Sequence, residues 1–181
     1  QSFSSVSGVY PVGTYAIPRT TELSPDLGTA IMLTGADIAQ SNLGLTGKGV
    51  KVAVMDTGID YRRPDLGGGF GNGKRVIRGW DFVGEAWNGQ ATTPPLAPDE
   101  DPIDCGPQTI PLPCAGGHGS HVADITLGIG PNKGVAPGAK LYAYKACSSV
   151  STACSGVAML QSINAALDPN GDGSTADRVD V

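Results

Sequence analysis

A chain of 181 residues that is 40% hydrophobic and 16% charged can bury the core of one domain and is too apolar for a disordered segment. Twelve Lys and Arg against 17 Asp and Glu leave a net charge of −5, and with only 6% aromatic residues and no basic run, nucleic acid is excluded as a partner. No apolar stretch approaches the ~20 residues of a bilayer span, so no membrane partner is expected.

The 27 Gly and 14 Pro predict extensive loops. The chain opens at Gln1 without a charged and then apolar leader, so any secretory signal is expected to have been removed. Residues 1–30 scatter Ser, Thr and Pro among single apolar residues and read as an extended arm, with residues 31–181 forming the domain. Thr34 is expected to cap a short helix through Leu43, and Gly44 and Gly47 then lead to a strand from Val50 to Met55. Val50, Val52 and Val54 alternate, but Ala53 and Met55 make the second face apolar too, which suits the middle of a parallel sheet covered on both sides.

A second strand is expected from Arg75 to Val83, after the glycine-rich loop at residues 67–71. Residues 88–117, rich in Pro, Gly and acidic residues, read as a long surface excursion. A helix from His118 to Leu127 and a strand from Leu141 to Ala146 follow. Ser155 can cap a helix whose Val157, Leu160, Ile163 and Leu167 share one face, ending at Asp168-Pro169. Arg178 to Val181 begin a further strand. This alternation predicts an α/β fold, a three-layer doubly wound parallel sheet that is incomplete in this chain, the expectation being a piece of a longer protein.

Four cysteines fall in two local pairs, Cys105 with Cys114 and Cys147 with Cys154, and two disulfides are expected, each worth roughly 2–3 kcal/mol at most. Such bonds persist in oxidising compartments, which points outside the cytosol. Both histidines lie in Gly117-His118-Gly119-Ser120-His121 at a predicted helix start, and Asp56 ends an apolar strand, where open parallel sheets place reacting groups.

Val52-Ala53-Val54-Met55-Asp56-Thr57-Gly58-Ile59-Asp60 resembles the aspartate motif of subtilisin-like serine peptidases, and Gly117-His118-Gly119-Ser120-His121-Val122-Ala123 resembles their histidine motif. Gly134 to Leu141 is similar to the segment that leads their next strand, and the likeness spans about residues 45 to 181. Large secreted bacterial subtilases with an inserted protease-associated domain are the nearest in appearance. The resemblance implies a secreted serine endopeptidase acting on an extended polypeptide, with His118 as general base and Asp56 holding its tautomer. His121 is then structural, following the catalytic histidine on the helix. It further implies a substrate-binding edge strand near Ser151, Thr152 and Ala153. The family's Gly-Thr-Ser-Met-Ala motif occurs nowhere in the 181 residues. The nucleophilic serine and the oxyanion asparagine are therefore expected in a remaining C-terminal part of the same protease, a partner without which this chain is expected to be inactive.

Asp168-Pro169-Asn170-Gly171-Asp172-Gly173 matches the first half of a calcium loop, with Asp177 or Asp180 to close it, so Ca²⁺ is the one cofactor the sequence offers and no organic cofactor is expected. A solvated Asx-rich turn is the competing reading. A zinc site of Cys105, Cys114, His118 and His121 is disfavoured because eight residues separate the cysteines, where two to four are usual. The rival function is a non-catalytic, calcium-stabilised pseudo-protease or protein-binding module.

Overall fold

A computed structural model describes residue 8 and residues 11–16, 27–90, 94–105, 117–151 and 153–181. Its elements in chain order are β1 (Thr14–Ala16), α1 (Leu27–Thr34), α2 (Ala36–Leu43), β2 (Lys51–Asp56), a 3₁₀ turn (Pro64–Leu66), β3 (Val76–Asp81), α3 (His118–Leu127), β4 (Lys140–Lys145), β5 (Ala153–Ser155) and α4 (Gly156–Leu167).

The two faces of β2 are not covered alike: Val52 and Val54 are buried, whereas on the other face Ala53 is half-buried and Met55, expected to be covered, is 38% exposed. Strands β2, β4 and β3 lie side by side in that order, all parallel, with Asp56 and Asp81 both in register with Lys145. Val52, Val54, Leu141 and Ala143 pack on one face against Ala123 and Leu127 of α3. Ala53, Tyr142 and Tyr144 point the other way, toward Ala166 of α4. Side chains of a strand alternate between faces, so these two clusters establish the helix, sheet and helix layers of an α/β fold. Asp180 and Val181 run along the free side of β2, where the Ala53 amide donates to the Val181 carbonyl at 2.8 Å.

Several elements differ from expectation. Thr34 does not cap a helix: it is the last residue of α1, and its hydroxyl donates back to the Ala30 and Ile31 carbonyls at 2.9 and 3.1 Å. Gly35, with φ 74°, breaks the helix and starts α2 in its place. The arm expected over residues 1–30 is described only in part, and α1 crosses its boundary from Leu27.

Ser155 caps α4, accepting from the Ala158 amide, but the face that meets the sheet is not the bulky one. Val157, Leu160, Ile163 and Leu167 are 44–57% exposed, whereas Gly156, Ala158, Ser162 and Ala166 are buried. Small residues let the helix axis approach the large Tyr142 and Tyr144, and the buried Ser162 hydroxyl is satisfied by the Ala158 carbonyl. The surface excursion of residues 88–117 also needs correction, because Pro102, Ile103 and Asp104 return to the interior and are almost fully buried. Among the described residues no helix is long and apolar enough to cross a membrane.

Candidate active site

Strand β2 and helix α3 deliver the two expected residues to one point. His118 Nδ1 lies 2.9 Å from Asp56 Oδ1 and 2.8 Å from Oδ2. A carboxylate only accepts, so this contact places the ring hydrogen on Nδ1 and leaves Nε2 as a lone-pair acceptor on a side chain 43% exposed. Asp56 is 13% exposed, and its Oδ1 also takes the Thr57 amide at 2.7 Å, so the carboxylate is fixed from two sides.

The helix approaches this strand end closely because residue 119 has no side chain. A Cβ there would stand 2.2 Å from the Gly58 carbonyl oxygen and 3.0 Å from the Asp56 Cβ. The N-cap Gly117 offers no side chain either, and the free amides of the first turn are satisfied from elsewhere. Gly119 donates to the Thr57 hydroxyl at 3.0 Å, and Gly117 and Ser120 donate to Asp104 Oδ2 at 2.9 and 3.2 Å. The Ser120 hydroxyl donates to the same oxygen at 2.9 Å and accepts from the Asp60 amide at 2.8 Å. Burial pushes the Asp104 carboxyl up, opposed by the hydrogen bonds from Gly117, Ser120 and Thr57.

A buried ion cluster sits beside this network. Lys145 Nζ is fully buried between Asp81 Oδ2 at 3.2 Å and Glu85 Oε1 at 2.8 Å, and also donates to the Ile103 carbonyl. Asp81 Oδ1 takes the Val83 and Gly84 amides at 2.7 Å each, and burial still pushes its carboxyl up. Thr57, Asp104 and Lys145 carry no motif of their own in the sequence. Adjacency to Asp56 was the only signal for Thr57, and Asp104 is hidden in a loop-rich stretch.

His121 takes no part in the Asp56–His118 contact; it lines a cavity of about 300 Å³ with Asp60, Arg63 and Asp124. Asp124 lies on that side, its carboxyl pushed up by burial and by Asp65.

Cys147 and Cys154 form the expected disulfide, and Cys105 is disulfide-bonded as well, while its expected partner Cys114 lies outside the described residues. Of the residues expected to bind substrate, Thr152 also lies outside them. Ala153 is paired with Ala16 in the antiparallel β1–β5 ladder, and the Ser151 hydroxyl accepts from the Ala153 amide at 3.4 Å.

The calcium residues are not drawn into one donor set. Asp168 Oδ1 accepts the Gly171 and Asp172 amides, and its Oδ2 accepts that of Gly173. Asn170 accepts from the Asp172 amide and donates to the Asp172 carboxylate, an arrangement of Asx turns. Asp180 instead accepts the Lys51 amide at 2.8 Å, and the Asp177 carbonyl takes Lys51 Nζ. Among the described residues no group of three or more His, Cys, Asp or Glu side chains is placed to hold a metal, and Cys114 of the zinc reading lies outside them.

An Asp–His pair at the carboxyl end of a parallel sheet defines the class as an α/β protein with its candidate site where such sheets place reacting groups. The subtilase family model matches residues 47–181, and the chain belongs to the subtilase family. It is 37% identical over 149 residues to the minor extracellular protease Vpr of Bacillus subtilis (strain 168), covering 77% of this chain and 16% of that protease. The thermophilic serine proteinase of Bacillus sp. (strain AK1) is 30% identical over 137 residues, covering 74% of this chain and 22% of the proteinase. Thermitase of Thermoactinomyces vulgaris is 31% identical over 103 residues, which are 55% of this chain and 26% of thermitase. The chain thus spans about a sixth to a quarter of the length of these relatives.

Proposed function

We propose that this chain supplies the aspartate and histidine of a serine endopeptidase that is secreted and hydrolyses peptide bonds, with the serine nucleophile contributed by sequence outside these 181 residues. The observation that carries this reading is the contact of His118 Nδ1 with both oxygens of Asp56 at 2.8 and 2.9 Å. With its tautomer fixed, Nε2 takes the proton of the attacking serine hydroxyl and returns it to the leaving amine, while Asp56 stabilises the imidazolium formed between those steps. Secretion is supported by the disulfide Cys147–Cys154 and by the likeness to the minor extracellular protease of Bacillus subtilis.

The substrate of this reading is an extended polypeptide laid along the 151–153 edge. It would meet the β1 segment at Ala153, which pairs with Ala16. Calcium is a separate proposal resting on the side-chain pattern of Asp168, Asn170 and Asp172, and no step of the reaction runs through it. Titrating Ca²⁺ into the wild type and Asp168→Asn, with no binding to either, would remove it.

The test of the catalytic reading is labelling of the full-length protein by a fluorophosphonate probe, followed by intact-mass analysis. Labelling that falls about 10⁴-fold in Asp56→Asn and disappears in His118→Ala is the expected result. A wild type that takes no probe but still binds extended peptides makes the protein a binding module instead.

A further inference from the structure

Asp104 is buried to 1% exposure, and Lys145 is the cation that reaches its segment, through the Ile103 carbonyl rather than the carboxylate. A buried carboxylate so placed is costly unless several donors converge on it. Here they do: the Gly117 and Ser120 amides and the Ser120 hydroxyl meet at Oδ2, and the nearby Thr57 hydroxyl, which accepts from the Gly119 amide, also favours the charged form. Each of these donors lies within two residues of Asp56 or His118 in sequence. The carboxylate also faces the positive end of α3, whose own N-cap is a glycine without a capping atom.

The segment that carries Asp104 is itself held on two sides. The Ile59 amide donates to the Pro102 carbonyl at 2.9 Å, and Lys145 Nζ donates to the Ile103 carbonyl at 3.1 Å. Gly58, at φ 101°, leaves room for it, since a Cβ there would lie 2.6 Å from the Pro102 oxygen. The bracket therefore ties the ends of β2 and β4 to the first turn of α3.

We infer that Asp104 is the positioning residue of the Asp56–His118 pair, acting through Thr57, Gly117 and Ser120 to hold the first turn of α3 so that His118 Nδ1 reaches both Asp56 oxygens. The inference deepens the peptidase reading and rests on it for its activity readout, but its structural readout is independent. Misplacement of a catalytic base by about 1 Å costs on the order of 10²-fold, which sets the size of the effect.

The experiment uses the full-length protein with ¹⁵N-histidine, His118→Ala serving to assign the slowly exchanging Nδ1–H resonance of His118. Asp104→Ala is expected to lose that resonance to solvent exchange and to lower the rate of fluorophosphonate labelling about 10²-fold. Asp104→Asn, which keeps the shape and one acceptor oxygen, is expected to recover about tenfold of that rate. Should Asp104→Ala fail to fold, Ser120→Ala removes one bond to the same carboxylate and carries the test with the same direction. An Nδ1–H resonance unchanged in the folded variants overturns the inference whatever the labelling does. A wild type without labelling, whose resonance nevertheless depends on Asp104, rejects the peptidase reading and leaves the positioning role standing.

Discussion

The Thr57 hydroxyl accepts a hydrogen bond from the Gly119 amide at 3.0 Å, so the residue after Asp56 and the residue after His118 are bonded to each other, as the two site residues are. The pair is thus held by side chain and by main chain at once. A disturbance of either contact should move the other.

Gly119→Ala tests the main-chain half. The added methyl would sit 2.2 Å from the Gly58 carbonyl oxygen, and neither backbone can yield without lifting α3 from β2. Overpacking of this kind costs about 1–3 kcal/mol. Urea unfolding should register that loss, and probe labelling should fall at least as far as in Asp104→Ala. Wild-type labelling in this variant would mean that helix and strand do not approach so closely.

Lys145→Met should be among the most destabilising changes in the domain. It removes the cation between Asp81 and Glu85 and leaves the fully buried Asp81 carboxylate without its counter-charge, a loss of about 3–5 kcal/mol. Adding Asp81→Asn to the same chain should restore part of it, since the uncompensated charge is gone while an oxygen remains for the Val83 and Gly84 amides. Chemical denaturation of the single and double variants measures the difference.

Acid should favour Asp104 in the folded state. Burial raises its carboxyl above the ordinary value, so the stability linked to this group is fully present below the unfolded pKa, near 4, and is lost as pH rises through the higher folded value. Compared at successive pH values from neutral toward 4, the wild type should therefore gain stability relative to Asp104→Asn. A difference that stays constant over that range would contradict the direction of the shift.

Removing residues 1–16 should open the β5 edge. Thr14, Tyr15 and Ala16 pair with Ser155, Cys154 and Ala153, and a peptide that needs the same edge is penalised by the fraction of molecules in which it is closed. The full-length protein without this segment is expected to show a KM for extended peptides lower by about tenfold. An unchanged KM would mean that substrate does not use β5.

The parts of the site that were legible in the sequence are those in which neighbouring residues act together. The bounds expected for α3, His118 to Leu127, are those of the helix, and the strand expected from Val50 to Met55 lies within a residue of Lys51–Asp56. Asp56 and His118 were both found through the contiguous motifs around them. Ser155 was legible as a cap for the same reason, because a cap bonds an amide three residues on.

Asp104 was not legible, since nothing in Pro102-Ile103-Asp104-Cys105 distinguishes a buried carboxylate from a solvated one. Periodicity found α4 but chose the wrong side of it, because it records which side chains are apolar and not which are small enough to let a helix lie on a tyrosine-bearing sheet. Gly35 as a helix break is hidden in the sequence by Thr34 before it, which resembles a cap.

By itself the sequence determined the order of β2, β3, α3, β4 and α4 and the subtilase family, and it singled out Asp56 and His118, all of which depend on residues adjacent along the chain. Only the tertiary structure decided what holds those two side chains together. Asp104 and Ser120 are 16 positions apart, Thr57 and Gly119 are 62, and Lys145 and Ile103 are 42. Contacts over such separations are set by how the layers pack, which local preference along the chain does not encode.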